Sequence, residues 1–308
     1  MELRNKNVLV TGGAGFIGSN LVLDLQERGH RVIVLDNLSS GKRENLNGFH
    51  GNFIEADVSK AIKLNNRFDA IFHMAAITDP RHSNEQKTYN ENIKGFWLMQ
   101  NLAEDSGSKF IYASTANLYG NGPIPMKENQ KKDIITTYGE SKLEMDDLVF
   151  ILLKEMHIVG LRYFNVFGPG ESSKGRSASM IYHLYKTMKA GKRPRLFKFG
   201  EQKRDHIYVK DVVDATIKAL NAPSGIYNVG TGVATSFNDL TKLMNEILGT
   251  NLETEYFDMP YDPLTYQANT QADTELTKEK LRFKARFSLK EGMKDYFNLL
   301  DAEERRNL

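Results

Sequence analysis

The chain has no cysteine among its 308 residues, which excludes a disulfide scaffold and any zinc or iron–sulfur site built on thiolates. Charge of one sign is also lacking: 41 Lys and Arg against 39 Asp and Glu leave a formal net charge of +2, so a large nucleic-acid footprint is not expected. No run approaches the roughly 18 consecutive apolar residues that a membrane helix needs. The opening MELRNKNVLVTGG lacks the apolar stretch of a signal peptide, and the chain is expected to be cytoplasmic, with no membrane partner. The seven histidines form no HExxH-type pair, so no metal is expected; His73, inside a predicted strand, reads as a satisfied buried residue. What is present is ordinary globular composition, 40% hydrophobic and 26% charged, with no repeat and no low-complexity linker.

Short apolar runs alternate with helical patterns. Strands are predicted at residues 7–13, 31–37, 52–57, 70–76, 109–115 and 158–166, with a late one at 225–232. Helices are predicted at 16–29, 92–105, near 138–155 and from Met180, with two more patterns beyond Ser236. Runs apolar on both faces, alternating with helices, imply a parallel sheet covered on both sides. The expected fold is α/β: a Rossmann-like doubly wound parallel sheet with a smaller carboxy-terminal α/β substrate domain. Residues 1–166 with about 205–230 would form the first unit, and 167–204 with 231–308 the second.

TGGAGFIG sets Gly12, Gly15 and Gly18 between a strand and a helix. Glycine there allows a tight turn and close approach of backbone to a pyrophosphate, whose charge the helix amino terminus stabilises. Asp36 ends the next strand, where a carboxylate can accept hydrogen bonds from a ribose diol. Asp36 favours NAD, while Lys42 and Arg43 could neutralise the extra phosphate of NADP, so both cofactors stay open.

TTYGESK places Tyr138 and Lys142 on one helical face, where an ammonium is expected to lower the phenol's pKa toward usefulness in proton transfer. Tyr182–Lys186 and Tyr185–Lys189 share the spacing and read as helix surface. Only Tyr138 follows a strand, KFIYAST, whose end offers Ser114 and Thr115 hydroxyls. In GPGESSKGRSAS, Lys174 lies between a strand and a helix and could be a solvated residue, a phosphate contact or a proton carrier. Lys186, Lys189, Lys192, Arg193, Arg195, Lys198, Lys203 and Arg204 make a basic run, read mostly as a solvated face.

TGGAGFIG, Asp36, Thr115, Tyr138, Lys142 and RYFNVFGP (Arg162–Pro169) together resemble the extended short-chain dehydrogenase/reductase family of nucleotide-sugar-modifying enzymes. The resemblance spans essentially the whole chain. It implies tightly bound NADP or NAD, a nucleotide-sugar substrate, a homo-oligomer, and catalysis by Tyr138, Lys142 and Thr115. It further assigns Phe16, Ile17, Asn37, Asp57, Val58, Ala75, Ala76, Asn92 and Val166 to the cofactor and Asn165 to the substrate. The second half is similar to the ADP-heptose 6-epimerase branch, which carries a lysine at the place of Lys174 in KGRSAS. That likeness implies epimerisation of ADP-D-glycero-D-manno-heptose to its L-glycero epimer, with Lys174 as second acid/base group, its pKa lowered by desolvation or by Arg176. It gives Arg176, His183, Phe197, Gly200, Arg204 and Tyr266 as substrate contacts. Departures fall where the sugar would lie: Arg176 replaces a small polar residue, and Asp79, Pro80 and Arg81 replace a serine/threonine-rich loop. The alternatives are a UDP-hexose 4-epimerase and, more remotely, a non-catalytic nicotinamide-binding or RNA-binding protein. A 4,6-dehydratase is disfavoured because Ala116 and Asn117 follow Thr115 in place of an acid pair.

Overall fold

The computed structural model describes residues 5–60, 64, 67–78, 84–260 and 266–306. Seven strands form one sheet in the order β10-β6-β5-β4-β1-β2-β3: β1 (Asn7–Thr11), β2 (Arg31–Asp36), β3 (Asn52–Glu55), β4 (Ala70–His73), β5 (Lys109–Thr115), β6 (Ile158–Tyr163) and β10 (Gly225–Val229). Every neighbouring pair is parallel. Successive side chains of β1 go to opposite faces, as strand geometry requires. Val8 and Val10 pack with Leu21 and Leu25 of α1 (Phe16–Glu27) and with Val212 and Val213 of α5 (Val209–Lys218). Leu9 packs with Phe96 of α2 (Glu85–Ser106) and with Met145 and Val149 of α3 (Thr137–Leu152). Helices thus cover both faces, as expected.

A second core holds Ile181 and Tyr185 of α4 (Met180–Lys189), Leu240 and Met244 of α6 (Phe237–Leu248) and Met293, Tyr296 and Phe297 of α7 (Leu289–Arg306). It rests on a three-stranded sheet, β11-β9-β7, made of β7 (Asn165–Phe167), β9 (Lys203–Tyr208) and β11 (Ala234–Ser236). A parallel pair, β8 (Arg195–Phe197) with β12 (Glu255–Phe257), completes it.

Two predicted elements change. The single strand 158–166 divides at Phe164, whose N–H donates to Val229 O (3.0 Å) while its ring packs with Tyr119, Met126 and Ala272. The chain there leaves the large sheet for the small one. The helix predicted from Asn92 begins at Glu85, capped by Asn84 Oδ1, which accepts from Lys87 N–H (2.8 Å).

Candidate active site

The strand β1, the glycine turn and the start of α1 build a cradle. Gly12 has φ +66°, and a Cβ there would fall 2.6 Å from Ala75 N. A Cβ on Gly18 would lie 2.1 Å from Gly12 O, so the helix can approach the turn only without a side chain. Gly15 caps α1 with no side-chain hydrogen bond, and a Cβ added to it would meet only Gly12 O, at 3.1 Å. The first-turn N–H groups of a helix, here beside Gly15, suit the pyrophosphate of a dinucleotide. Phe16 is buried and Ile17 half-buried in the following turn.

Asp36 is buried with both oxygens engaged: Oδ2 accepts from Ala14 N–H (2.9 Å) and Oδ1 from Leu38 N–H (2.8 Å). It therefore shapes the glycine turn and still has lone pairs for a ribose. Asn37 Nδ2 reaches Asp57 Oδ2 at 3.3 Å. Partial burial would raise the Asp57 pKa, but hydrogen bonds from Ser59 and Asn37 hold it below the usual range. Arg43 is neutralised by Glu55 (3.0 Å) and stacked on Phe53, whereas Lys42 is an exposed side chain. Asn92, buried on α2, brackets Ile77 by accepting from its N–H (2.8 Å) and donating to its carbonyl (3.1 Å). That fixes the segment with Ala75 and Ala76 beside Gly12. Val58 packs where a Cβ on Gly95 would come within 2.9 Å, and Val166 bridges the two cores.

Tyr138, Lys142 and Thr115 come together where α3 passes the end of β5. Desolvation raises the Tyr138 pKa to about 12, and the Thr115 hydroxyl, as hydrogen-bond partner, opposes it. The expected lowering by Lys142 is absent. Its Nζ lies 5.9 Å from the Tyr138 ring and donates to Ala113 O (2.7 Å), so burial dominates the phenol. Burial also pulls Lys142 itself down to about 8. Ser114 is buried, its hydroxyl without a partner. His73 is indeed satisfied: Nδ1 pairs with Thr11 Oγ1 at 2.9 Å, and desolvation brings its pKa to about 3.

Lys174 lies in a 3-10 stretch, Glu171–Ser177, broken at Gly175 (φ 54°, ψ −122°). Its ammonium stands 5.8 Å over the Phe16 ring, at the start of α1. The Glu171 carboxylate, in the same turn, interacts electrostatically with Lys174, and Arg176 is exposed. Asn165 opens β7 and accepts from Thr270 Oγ1 (2.8 Å). The loop with Asp79, Pro80 and Arg81 lies outside the described residues.

Three predicted substrate residues meet. Tyr266 lies 6.0 Å edge-on from Phe197 and 5.2 Å from the Arg204 guanidinium, which it also hydrogen-bonds. Arg204 is nearly buried and donates to Ala268 O (2.7 Å). Desolvation lowers its pKa and Tyr266 counters that. Gly200, at φ +76°, turns the chain where a Cβ would strike Asn238 Oδ1 at 2.1 Å. His183 packs edge-on against Tyr182, 5.8 Å away on α4. The rest of the basic run is largely matched by acids: Lys186–Glu304, Lys189–Asp301, Arg193–Glu253, Arg195–Glu255 and Lys198–Asp258. Tyr185 also bonds Asp301, so the repeated Tyr–Lys spacing on α4 docks α7. Among the described residues no cluster of three His, Asp or Glu could hold a metal, and no helix is long and apolar enough to cross a membrane.

Sequence reasoning missed a buried network behind the site. Asp146, one turn beyond Lys142, pairs with Arg162 (2.8 Å) and accepts from Tyr112 OH (2.7 Å). Arg162 donates to Tyr119 OH (2.9 Å), which donates to Asn228 Oδ1 (2.7 Å). The spacing Tyr138, Lys142, Asp146 on one helix face was the available signal. Asp205 was missed too; it accepts from Thr231 N–H (2.8 Å), Gly232 N–H (2.9 Å) and Ala272 N–H (3.0 Å), tying the loops around the Arg204 cluster.

A seven-stranded dinucleotide cradle, a Tyr–Lys–Thr group at a strand end and an aromatic–arginine cluster beyond it define a nucleotide-sugar epimerase of the extended short-chain dehydrogenase/reductase type. The chain belongs to the NAD dependent epimerase/dehydratase family, whose model matches residues 8–230. More particularly, it is 35% identical to an ADP-L-glycero-D-manno-heptose-6-epimerase of Brachyspira hyodysenteriae, over 96% of this chain and 98% of that protein. The crystal structure of the Helicobacter pylori enzyme of the same name superposes with a TM-score of 0.91 at 38% identity, covering 97% of each chain. A UDP-glucose 4-epimerase of Thermotoga maritima, crystallised with UDP-glucose, gives a TM-score of 0.87 at 34% identity, covering 96% of this chain and 99% of that one.

Proposed function

We propose that the protein inverts carbon six of an ADP-glycero-manno-heptose by transient oxidation and re-reduction. The observation that carries this reading is Lys174, held over Phe16 at the mouth of the cradle in a segment separate from Tyr138. Epimers present the reacting hydroxyl in two directions, and two proton carriers on different elements serve both. When bound, a nicotinamide dinucleotide supplies a reversible hydride acceptor. Tyr138 moves the proton at the sugar oxygen, with Thr115 hydrogen-bonding that oxygen and Lys142 holding the ribose beside it. Lys174 does the same from the second direction. Arg204 and Tyr266 hold the nucleotide, with Phe197 as stacking surface, and Asn165, Arg176 and His183 are proposed to line the sugar end.

Asp36 and the Glu55-neutralised Arg43 leave Lys42 as the cation for a 2′-phosphate, a charge count that favours NAD. Residues 1–166 with 205–230 are proposed as one unit and 167–204 with 231–308 as the other; the separate core of α4, α6 and α7 supports this, while Phe16, Tyr208 and Val209 pack into that core and Leu281 and Phe283 into the first. Self-association is proposed through α2 and α3, where Trp97, Phe150 and Ile151 are exposed. A UDP-hexose 4-epimerase is the second reading, favoured by the likeness to the Thermotoga enzyme.

Incubation with ADP-heptose, UDP-glucose and GDP-mannose in deuterated water, followed by proton NMR, tests the proposal. Inversion of ADP-heptose without deuterium at carbon six is expected. Inversion of UDP-glucose alone would transfer the assignment to the second reading, and failure to bind either dinucleotide would end both.

A further inference from the structure

The segment that carries Lys174 is closed by one buried side chain. Glu171 is 1% exposed. Its Oε1 accepts from Gly168 N–H (3.1 Å) and from Ser179 Oγ (3.0 Å), and its Oε2 from Ser179 N–H (2.6 Å). Ser179 in turn caps α4, its Oγ accepting from Tyr182 N–H (3.2 Å). One carboxylate therefore joins the exit of β7 to the entry of α4, and Lys174 lies on the span between. The span is pinned to the cradle as well: Asn20 Nδ2 donates to Pro169 O (2.8 Å) and Asn45 Nδ2 to Ser173 Oγ (3.2 Å).

Every polar contact named for Glu171 presents it with a donor, which suits an ionised carboxylate. Burial pushes its pKa up, while the Ser179 and Gly168 hydrogen bonds and the Lys174 charge act the other way. The other titratable groups facing it come from α7 and α4. Tyr296 places its buried hydroxyl beside the carboxylate outside regular hydrogen-bond geometry, and Tyr182 and Glu303 act on that hydroxyl.

We propose that Glu171 is a positioning residue for Lys174: its carboxylate locks the loop that aims the ammonium and serves as its counter-ion. The inference rests on the reading above, in which Lys174 carries a proton during epimerisation. A fixed anion beside an ammonium favours the charged form, so its removal lowers the lysine's pKa. Whichever limb of the pH–rate profile reports Lys174 then moves to lower pH. Loss of aim appears in kcat, while substrate affinity, held by the Arg204 cluster, is spared.

The test compares Glu171→Gln, Glu171→Asp and Lys174→Met with the parent protein, reading kcat and KM for ADP-heptose across pH, together with nicotinamide dinucleotide binding. Lys174→Met is expected to lose about 10²–10⁴-fold in kcat. Glu171→Gln is expected to lose about tenfold, to keep KM and dinucleotide binding near the parent's, and to shift the lysine limb to lower pH. Glu171→Asp, keeping the charge on a shorter arm, should hold the limb in place with a lowered kcat. Should Glu171→Gln not fold, that aspartate variant decides: a parent-like kcat overturns the proposal. An unshifted limb in a folded Glu171→Gln also overturns it, as does a loss confined to KM or dinucleotide binding. Full turnover by Lys174→Met overturns the underlying reading instead, whatever the Glu171 variants do.

Discussion

His206 offers a sharp test of the electrostatic reasoning. It sits on β9, 5% exposed, with its ring edge-on to Phe167 (6.5 Å) and Phe237 (6.4 Å) and neither ring nitrogen hydrogen-bonded. Desolvation, aided by the Arg204 charge, lowers its pKa from 6.5 to about 3. The unfolded chain takes up this proton first as pH falls. Stability is therefore complete above pH 6.5 and declines between there and about pH 3. At pH 5 the loss is about 2 kcal/mol for each such histidine, and His73, also lowered to about 3, adds a similar amount. Substituting His206→Phe removes one titration and two unmet hydrogen-bonding positions. The larger ring carries a steric cost, about 1–3 kcal/mol at most, but that cost is the same at both pH values. Urea unfolding at pH 7.5 and pH 5 isolates the electrostatic part. The parent should lose about 4 kcal/mol between them and the variant about 2 kcal/mol from these two groups. Identical pH dependence in both proteins would refute the claim that His206 is buried neutral.

Gly18→Ala should leave a folded protein that binds nicotinamide dinucleotide at least tenfold more weakly by fluorescence titration, because its Cβ falls 2.1 Å from Gly12 O. Asp146→Ala should destabilise the fold by about 3–5 kcal/mol in urea melts, since Arg162, its partner at 2.8 Å, is left charged and buried. Arg204→Met should raise KM for the nucleotide sugar with little change in kcat, because the guanidinium is joined to Tyr266 and is proposed to hold the nucleotide and not the reacting carbon.

Much of this fold was legible because its signals are local. The β1–glycine–α1 unit announces itself through three glycines at fixed offsets, and the structure shows why: a Cβ on Gly12 would strike the backbone at Ala75, and one on Gly15 or Gly18 would crowd or strike Gly12 O. Tyr138 and Lys142 are neighbours by helix geometry alone. The break at Phe164 was not legible, since 158–166 is rich in strand-forming residues on both sides of it. Only the distant Val229 carbonyl and the Tyr119 ring decide where it leaves the sheet. The start of α2 was hidden for the opposite reason, its first turns being polar and lacking the apolar period.

The site divides along the same line. Arg204, Phe197 and Tyr266 could be named from resemblance, but the hydrogen bonds that tie the neighbouring loops, donated by Thr231 N–H and Ala272 N–H to Asp205, join residues far apart in the chain. The expected activation of Tyr138 failed in the structure because residue spacing reports proximity and says nothing of desolvation. A phenol raised to about 12 beside a lysine lowered to about 8 is a pair whose charged forms are both disfavoured by burial. Such a pair gains from any polar ligand that replaces lost water, since solvation by fixed dipoles lowers the phenol and raises the ammonium together. The reactive state of this centre is thus a property of the occupied cleft, whereas the placement of Tyr138, Lys142 and Thr115 is already fixed by α3 and the end of β5.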